Sequence, residues 1–349
     1  MAIAAETIDD LVKSTLEDFP DPNFGMIAQD LVQYIVMNQM LRRDAVKFNG
    51  TEQMKHNLMV DQSRTAEHVG LYADDALSVQ DNLQRIAVPW RNTTNNFIYD
   101  VTEEAMNRGP QQLVDLIATR RIDMMLGLAE KLEQSFWQAP DDSTDDITPW
   151  GVKYWMKPAT SGRGFNGGDI TGFSSGPGGL SSNTYEKWKH YNAVYDSFTD
   201  EDLASELRRA FRACSFQSPV KTVSNDGAQG FRYKLFCGEE VIEGLIAMAR
   251  AQNDNIGRDI AAFDGTVVFK RLPFQYVPQL DVEFTTATND IFMLDTKHFK
   301  VNIHTKNNFR QTGPEMVSGK HNVRAVYTDL TWNLMMTDRR RQAWINRVP

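Results

Sequence analysis

The stretch Thr102 to Ala139 constrains this chain more than any other. Leu113, Ile117, Met124, Leu128, Leu132 and Phe136 recur mostly every fourth residue, so they share one slowly drifting helical stripe. Arg120, Arg121, Asp123, Glu130, Lys131 and Glu133 fill much of the remaining surface, as a helix with a wet side requires. The pattern predicts a single long helix. Thr102 is the expected cap, with Glu103 and Glu104 suited to the positive end of the dipole. Gly109-Pro110 interrupts the first turns, so regular helix is expected from Pro110, and Pro140 stops it. At ~1.5 Å per residue the stretch is roughly 45–55 Å long. Its stripe is too narrow to be enclosed on all sides, so one side of the helix is expected to be open.

Composition sets the outer bounds. The chain has 349 residues, 41% hydrophobic and 24% charged, ample for one large core or for two to three smaller domains. The formal charge of -9 opposes clamping nucleic acid along the chain, although not enclosing it. Cys214 and Cys237 are expected to be reduced and buried. Glu6, Asp9 and Asp10 near the start argue against a secretory signal. The longest apolar run, around Tyr34 to Met37, is far too short to span a bilayer, and a soluble protein is expected.

Along the chain, Thr7 is placed to cap a helix carrying Ile8, Leu11, Val12, Leu16 and Phe19, and Pro20 to Asn23 breaks it. A second helix from about Phe24 carries Ile27, Leu31, Tyr34, Ile35 and Leu41. Gly50 opens a polar stretch of weak helical periodicity. Two strands are expected at Ala66–Ala73 and Leu83–Trp90 around an Asp74-Asp75 turn, then an extended piece at Asn96–Tyr99. So little of this hairpin is apolar that it is marginal alone in water, and it is expected to pack outside its own chain or to be a loose loop. Deleting residues 60–92 is therefore expected to leave a folded subunit.

After the long helix comes an acidic group, Asp141, Asp142, Asp145 and Asp146, whose spacing fits a solvated turn and no calcium loop. The glycine-rich run Ser161 to Leu180 contains Gly162, Gly164 and Gly167 at dinucleotide-fingerprint spacing, but without the flanking strand and helix, and a mobile surface loop is expected. Thr199 to about Phe216 predicts a helix, with Leu203, Leu207, Ala210 and Phe211 buried and Arg208, Arg209 and Arg212 at its cation-favouring end. Beyond it, strands are expected at Tyr233–Cys237, Thr266–Phe269, Phe274–Val277, Asp290–Leu294, Phe299–His304 and Val323–Met335, with a helix at Glu239–Gln252.

No catalytic constellation assembles from the residues. The histidines (His56, His68, His190, His298, His304 and His321) form no metal-ligand pair by spacing, and nucleophile-elbow, phosphate-loop and paired-cysteine motifs are absent. No catalytic residue, metal or cofactor is expected.

The order of parts is more informative. Ile98-Tyr99-Asp100-Val101-Thr102-Glu103 leads into the helix, which runs from Arg120-Arg121 to Glu133 and Phe136-Trp137. Gly151 to Trp155, Leu280-Asp281, Ile291 to Asp295, Asn333-Leu334 and Arg339-Arg340 follow. This arrangement resembles the major capsid proteins of tailed bacteriophages, the Hong Kong 97-type shell fold, over nearly the whole chain. The resemblance implies an α+β fold with an N-terminal arm (1–51), an extended hairpin loop (52–100), a peripheral domain with spine helix and glycine-rich loop (101–220), a mainly axial domain (221–320) and a return to the peripheral domain (321–349). It implies hexamers and pentamers of this chain closing an icosahedral head around double-stranded DNA, without sequence-specific binding. Portal, scaffolding and decoration proteins would be its partners, with assembly in the host cytoplasm and no membrane. Arg64, Tyr72, Arg85, Trp90, Arg91 and Glu130 become candidate inter-subunit contacts. Lys55, alone between Lys47 and Lys131, carries no neighbours that mark it for cross-linking. An encapsulin-like compartment shell and a soluble cytoplasmic enzyme remain the alternatives at this stage.

Overall fold

The computed structural model describes residues 36, 46–48, 52–62, 66–71, 82–106, 116–215, 233–252, 267–270, 272–283 and 289–348. The two expected N-terminal helices lie outside these residues apart from Val36, as do Gly109-Pro110, Leu113 and the Asp74-Asp75 turn. In chain order the elements begin with β1 (Val46–Phe48), β2 (Gln53–Met59), β3 (Leu83–Pro89), β4 (Arg91–Asp100), α1 (Val101–Met106), α2 (Leu116–Trp137) and the short α3 (Val152–Trp155). Next come β5 (Arg163–Gly167), β6 (His190–Tyr195), α4 (Ser205–Cys214), β7 (Tyr233–Cys237), α5 (Glu239–Gln252), β8 (Val268–Phe269), β9 (Leu272–Tyr276) and α6 (Pro278–Glu283). The last are β10 (Ile291–Asp295), β11 (Phe299–His304), β12 (Arg310–Met316), β13 (Val323–Met336) and β14 (Ala343–Arg347).

Two larger sheets organise this α+β chain. The first is built on β13, which pairs antiparallel with β4, β11 and β12, while β1 adds parallel to β11. The second runs β5-β6-β14-β10-β7-β9-β8. Strand alternation separates its two faces. Phe236, Phe292, Leu294 and Trp344 face the core shared with the first sheet. Leu235, Cys237, Ile291, Met293, Ala343 and Ile345 face a second core closed by α4 and α5. With both faces covered, β10 is buried at all five residues, which explains its uninterrupted apolar run.

The long helix joins the sheets through its last turn. The Phe136 ring meets Phe299 of the first sheet, centroids 5.5 Å apart. Its neighbour Trp137 meets Phe292 and Phe236 of the second, at 5.2 and 5.8 Å. Met124, Leu128, Leu132 and Phe136 form the buried stripe, as their spacing predicts. The open side holds only for the first half of α2. Toward its end Leu132, Glu133, Ser135, Phe136 and Trp137 are all buried, so Glu133 is not on a wet face. The end is tight enough that a Cβ on Gly151 would lie 2.2–2.6 Å from the carbonyl oxygens of Ser135, Phe136 and Gln138.

The cap also differs. The helical turn starts at Val101, and Asp100, not Thr102, is its cap: the Asp100 carboxylate accepts from the Thr102 N–H at 2.7 Å. Glu103 reaches back to the Asp100 N–H at 3.4 Å, completing a reciprocal capping box. Thr199, in contrast, caps its helix as expected, accepting from the Asp202 N–H through its side chain.

Candidate functional site

The hairpin before the long helix differs most from its expected form. Its first strand is Gln53–Met59, in the stretch that carries weak helical periodicity, and it pairs in register with Leu83–Pro89. Residues 66–70, expected as strand, form no ladder. Residues opposite one another share a face, so Met54/Val88, His56/Ile86 and Leu58/Gln84 line one side, and Lys55/Ala87, Asn57/Arg85 and Met59/Leu83 the other.

The first side rests on the chain's own core. Ile86 and Val88 are fully enclosed and Met54 nearly so. This overturns the expectation that the hairpin buries little in its own chain and that residues 60–92 are dispensable. Each buried aliphatic side chain contributes about 1.5–3 kcal/mol, so removing several costs a large share of a domain's net stability. The second side is open: Met59 and Leu83 are 64% and 68% exposed, and at the tip Leu71 is 94% exposed.

The glycine-rich run supplies the hairpin's seat, so it is packed structure and not a surface loop. Gly167 lies against the His190 ring, where a Cβ would approach within 2.2 Å. Gly178, at φ 70°, would place a Cβ 3.2 Å from both Ile86 and Trp155. Its N–H donates to the Tyr154 hydroxyl at 3.1 Å, and Trp188 Nε1 donates to the Pro177 carbonyl at 3.3 Å. Beneath lies Arg339, fully buried, whose Nε donates to the Trp155 carbonyl at 2.8 Å and whose Nη2 donates to the Gly168 carbonyl at 2.9 Å. Its guanidinium stands 3.7 Å from Asp169. Burial pulls Arg339 down to about 10, so it remains charged at neutral pH. Burial and the adjacent guanidinium push His190 down to about 3, so the imidazole stays neutral.

The candidate contact residues occupy different environments. Arg64 and Tyr72 lie outside the described residues. Arg85 is exposed on the hairpin's open side and donates to Asn57 Oδ1 at 3.1 Å. Glu130 is exposed on α2, accepting from Gln134 at 3.4 Å. Trp90 is half-buried, edge-on to His304 with centroids 5.3 Å apart. Arg91 is turned inward, 7% exposed, and donates to the Asp145 carbonyl at 2.9 Å and the Thr148 carbonyl at 3.3 Å. It latches the acidic turn to the hairpin's base. Within that turn, bonds from Thr148, its side chain first, hold the Asp145 carboxyl down at about 2.

Sequence reasoning missed residues that fasten the hairpin: Asn333, which donates to the Pro89 carbonyl, Gly178 under Ile86, and Lys187, which pairs with Asp61. Among the described residues no group of three or more His, Cys, Asp and Glu side chains is arranged to hold a metal ion. An open groove of about 620 Å³ lies between β4 and α2. In its lining, Arg120 pairs with Glu103 at 2.9 Å. Both cysteines are free and buried, and burial raises both thiols. No helix among the described residues is long and apolar enough to cross a membrane.

No protein-family model matches this chain, and no curated protein matches it by sequence. Solved structures do. A chain of the cyanophage A-1(L) capsid asymmetric unit superposes with a TM-score of 0.64 at 12% identity, over 94% of this chain and 96% of that one. A chain from the capsid of the native GTA particle gives 0.58 at 10% identity, over 94% and 95%. One from Gordonia phage Cozz gives 0.56 at 8% identity, over 100% and 97%. The fold is thus shared with these capsid chains over nearly their whole length, at 8–12% identity.

Proposed function

We propose that this chain is the major capsid protein of a tailed bacteriophage, a structural subunit of the Hong Kong 97 type. Hexamers and pentamers of it close into an icosahedral head around double-stranded DNA. The observation that supports the reading best is the near-complete mutual coverage with the cyanophage A-1(L) capsid chain, 94% of this chain and 96% of that one. In this reading residues 101–220 and 321–349 are the peripheral domain, 221–320 mainly the axial domain and 52–100 the extended loop, whose last strand, β4, joins the β13 sheet.

The physical arrangement agrees with such a role. The open side of the hairpin carries an apolar pair, Met59 and Leu83, beside Arg85 and Lys55. Contacts made through such a strip are each modest, and closure multiplies them. Arg85 and Glu130 are the candidate contacts that face outward, and Arg91 acts through the hairpin's base. The net charge of -9 suits a wall that encloses DNA without gripping it. Portal, scaffolding and decoration proteins would complete the particle.

Sedimentation velocity and negative-stain microscopy of the purified chain test the reading. Capsomers or closed shells are expected. A monomer or small oligomer under every condition, including with a co-expressed scaffolding protein, overturns it.

A further inference from the structure

Besides the buried Met54, Val60 and Val88, three fastenings of different kinds lie along the hairpin. At the base, Asn333 Nδ2 donates to the Pro89 carbonyl at 2.8 Å. Three residues out, Ile86 rests on the bare backbone of Gly178. Farther still, past the last ladder pair Met59/Leu83, Asp61 Oδ1 accepts from Lys187 Nζ at 3.1 Å. Lys187 adjoins Trp188, whose indole holds the same turn that forms the seat. At ~3.3 Å per residue the Asp61–Lys187 pair lies about 25 Å from Pro89. A bond at that distance restricts the hairpin's angle far more than one of equal strength at the hinge, because a small rotation moves its atoms apart by several ångströms.

We propose that Lys187 and Asp61 are positioning residues, an outer strap that holds the hairpin down on the Gly176–Gly179 turn and sets its angle before any other molecule is met. This rests on the assembly reading in one respect: the angle then fixes how the open side, with Met59 and Leu83, is presented to a second copy of the chain. The seat and the strap differ in kind. Ile86 on Gly178 and Trp155 is an apolar contact that salt leaves intact. The strap is an ion pair whose partners are 42% and 32% exposed, so salt screens it. Val60, buried beside Asp61, adds an apolar contact at the same end, so the strap narrows the hairpin's angular range at low ionic strength and high salt releases only that part of the restraint, without unfolding.

The test measures the angle in the unassembled subunit. Because Cys214 and Cys237 are buried, a nitroxide label goes to cysteines introduced at exposed Met59 and Glu201 of the full chain. Pulsed spin-resonance at low salt is expected to give one narrow distance distribution. Lys187→Glu is expected to broaden it at least twofold with no change in far-ultraviolet circular dichroism, and the swap Asp61→Lys with Lys187→Glu to narrow it again. A broad distribution in the parent chain, no broadening in Lys187→Glu, or no rescue by the swap overturns the proposal. Shell formation is scored separately: a chain that forms no shells yet shows these distances refutes the assembly reading and leaves the strap standing.

Discussion

Asn333, enclosed near the C-terminal end of β13, donates its Nδ2 to the carbonyl of Pro89 at 2.8 Å. Its Oδ1 accepts from the Trp150 N–H, also at 2.8 Å, so one side chain ties the hairpin and the tryptophan turn to the long strand. Asn333→Ala leaves a carbonyl and an N–H without their partner inside the protein. A loss of about 2–4 kcal/mol is expected, read as a lower denaturant midpoint of the unassembled subunit. An unchanged midpoint would mean that water reaches both groups.

Gly151→Ala is the sharpest steric test. Its Cβ would meet three carbonyl oxygens at the end of α2, all of them backbone, so nothing flexible can yield. A cost of more than about 3 kcal/mol is expected, seen as insoluble protein or a thermal midpoint lowered by many degrees. Gly168→Ala, where a Cβ meets nothing within 4 Å, is the control and is expected to change stability by less than about 0.5 kcal/mol.

Two shortened hairpins separate tip from base. Removing 63–81 and joining 62 to 82 with a short linker keeps Ile86, Val88 and Arg91 in place. That subunit is expected to remain folded by circular dichroism while losing stable shells. Removing 60–92 takes away those buried groups and is expected to abolish folding. If both fold equally well, the hairpin's inner face is not part of the core.

Charge on α2 distinguishes core from surface in the same way. Leu128→Asp buries a carboxylate at a position only 1% exposed and is expected to prevent folding. Glu130→Lys, two residues on at an exposed site, is expected to leave the melting curve within about 0.5 kcal/mol of the parent. Its effect is expected in the yield of shells by sedimentation.

Acid sensitivity follows from His190. The folded chain keeps its imidazole neutral down to about pH 3, whereas the unfolded chain takes up the proton near an ordinary pKa of about 6.5. As pH falls through that window the unfolded state binds the extra proton, so stability is lost on going down. His190→Gln is expected to reduce the slope of stability against pH by about 1.4 kcal/mol per unit there. Equal slopes in the two proteins would rule out this origin.

Legibility in the sequence followed burial. The α2 stripe, the β7, β10, β11 and β13 strands and the α4 and α5 helices were readable because their apolar residues repeat at helix or sheet period. β2 was not, because Met54 and Leu58 are spaced by four and the residues between them are polar, which imitates a helix. β14 was hidden behind Arg339, Arg340 and Arg341, which look like a charged tail although Arg339 is fully buried. The glycine-rich run was misread for a related reason: Gly167 and Gly178 have no side chains because His190, Ile86 and Trp155 need the space, and sequence alone does not show what approaches a glycine. Of the candidate contacts, the exposure of Arg85 and Glu130 is legible from their polar surroundings, while the inward turn of Arg91 is not. The fastenings join residues far apart in the chain, such as Ile86 with Gly178 and Pro89 with Asn333, and are not legible.

The margins of the two large sheets have a consequence of their own. Among the described residues the seven-stranded sheet ends in β5, whose register slips between Gly164 and Gly167, and in β8, two residues long. The other sheet, among the same residues, ends in the three-residue β1 and the irregular β12, and on β4 the carbonyl of Ile98 is taken by Arg120 at 2.9 Å. Such margins are poor templates for adding another strand. In the proposed shell, where copies meet at high local concentration, exposed strand edges would risk runaway fibre growth, and blunted margins leave side-chain surfaces, which can be made specific, as the favoured way for copies to join.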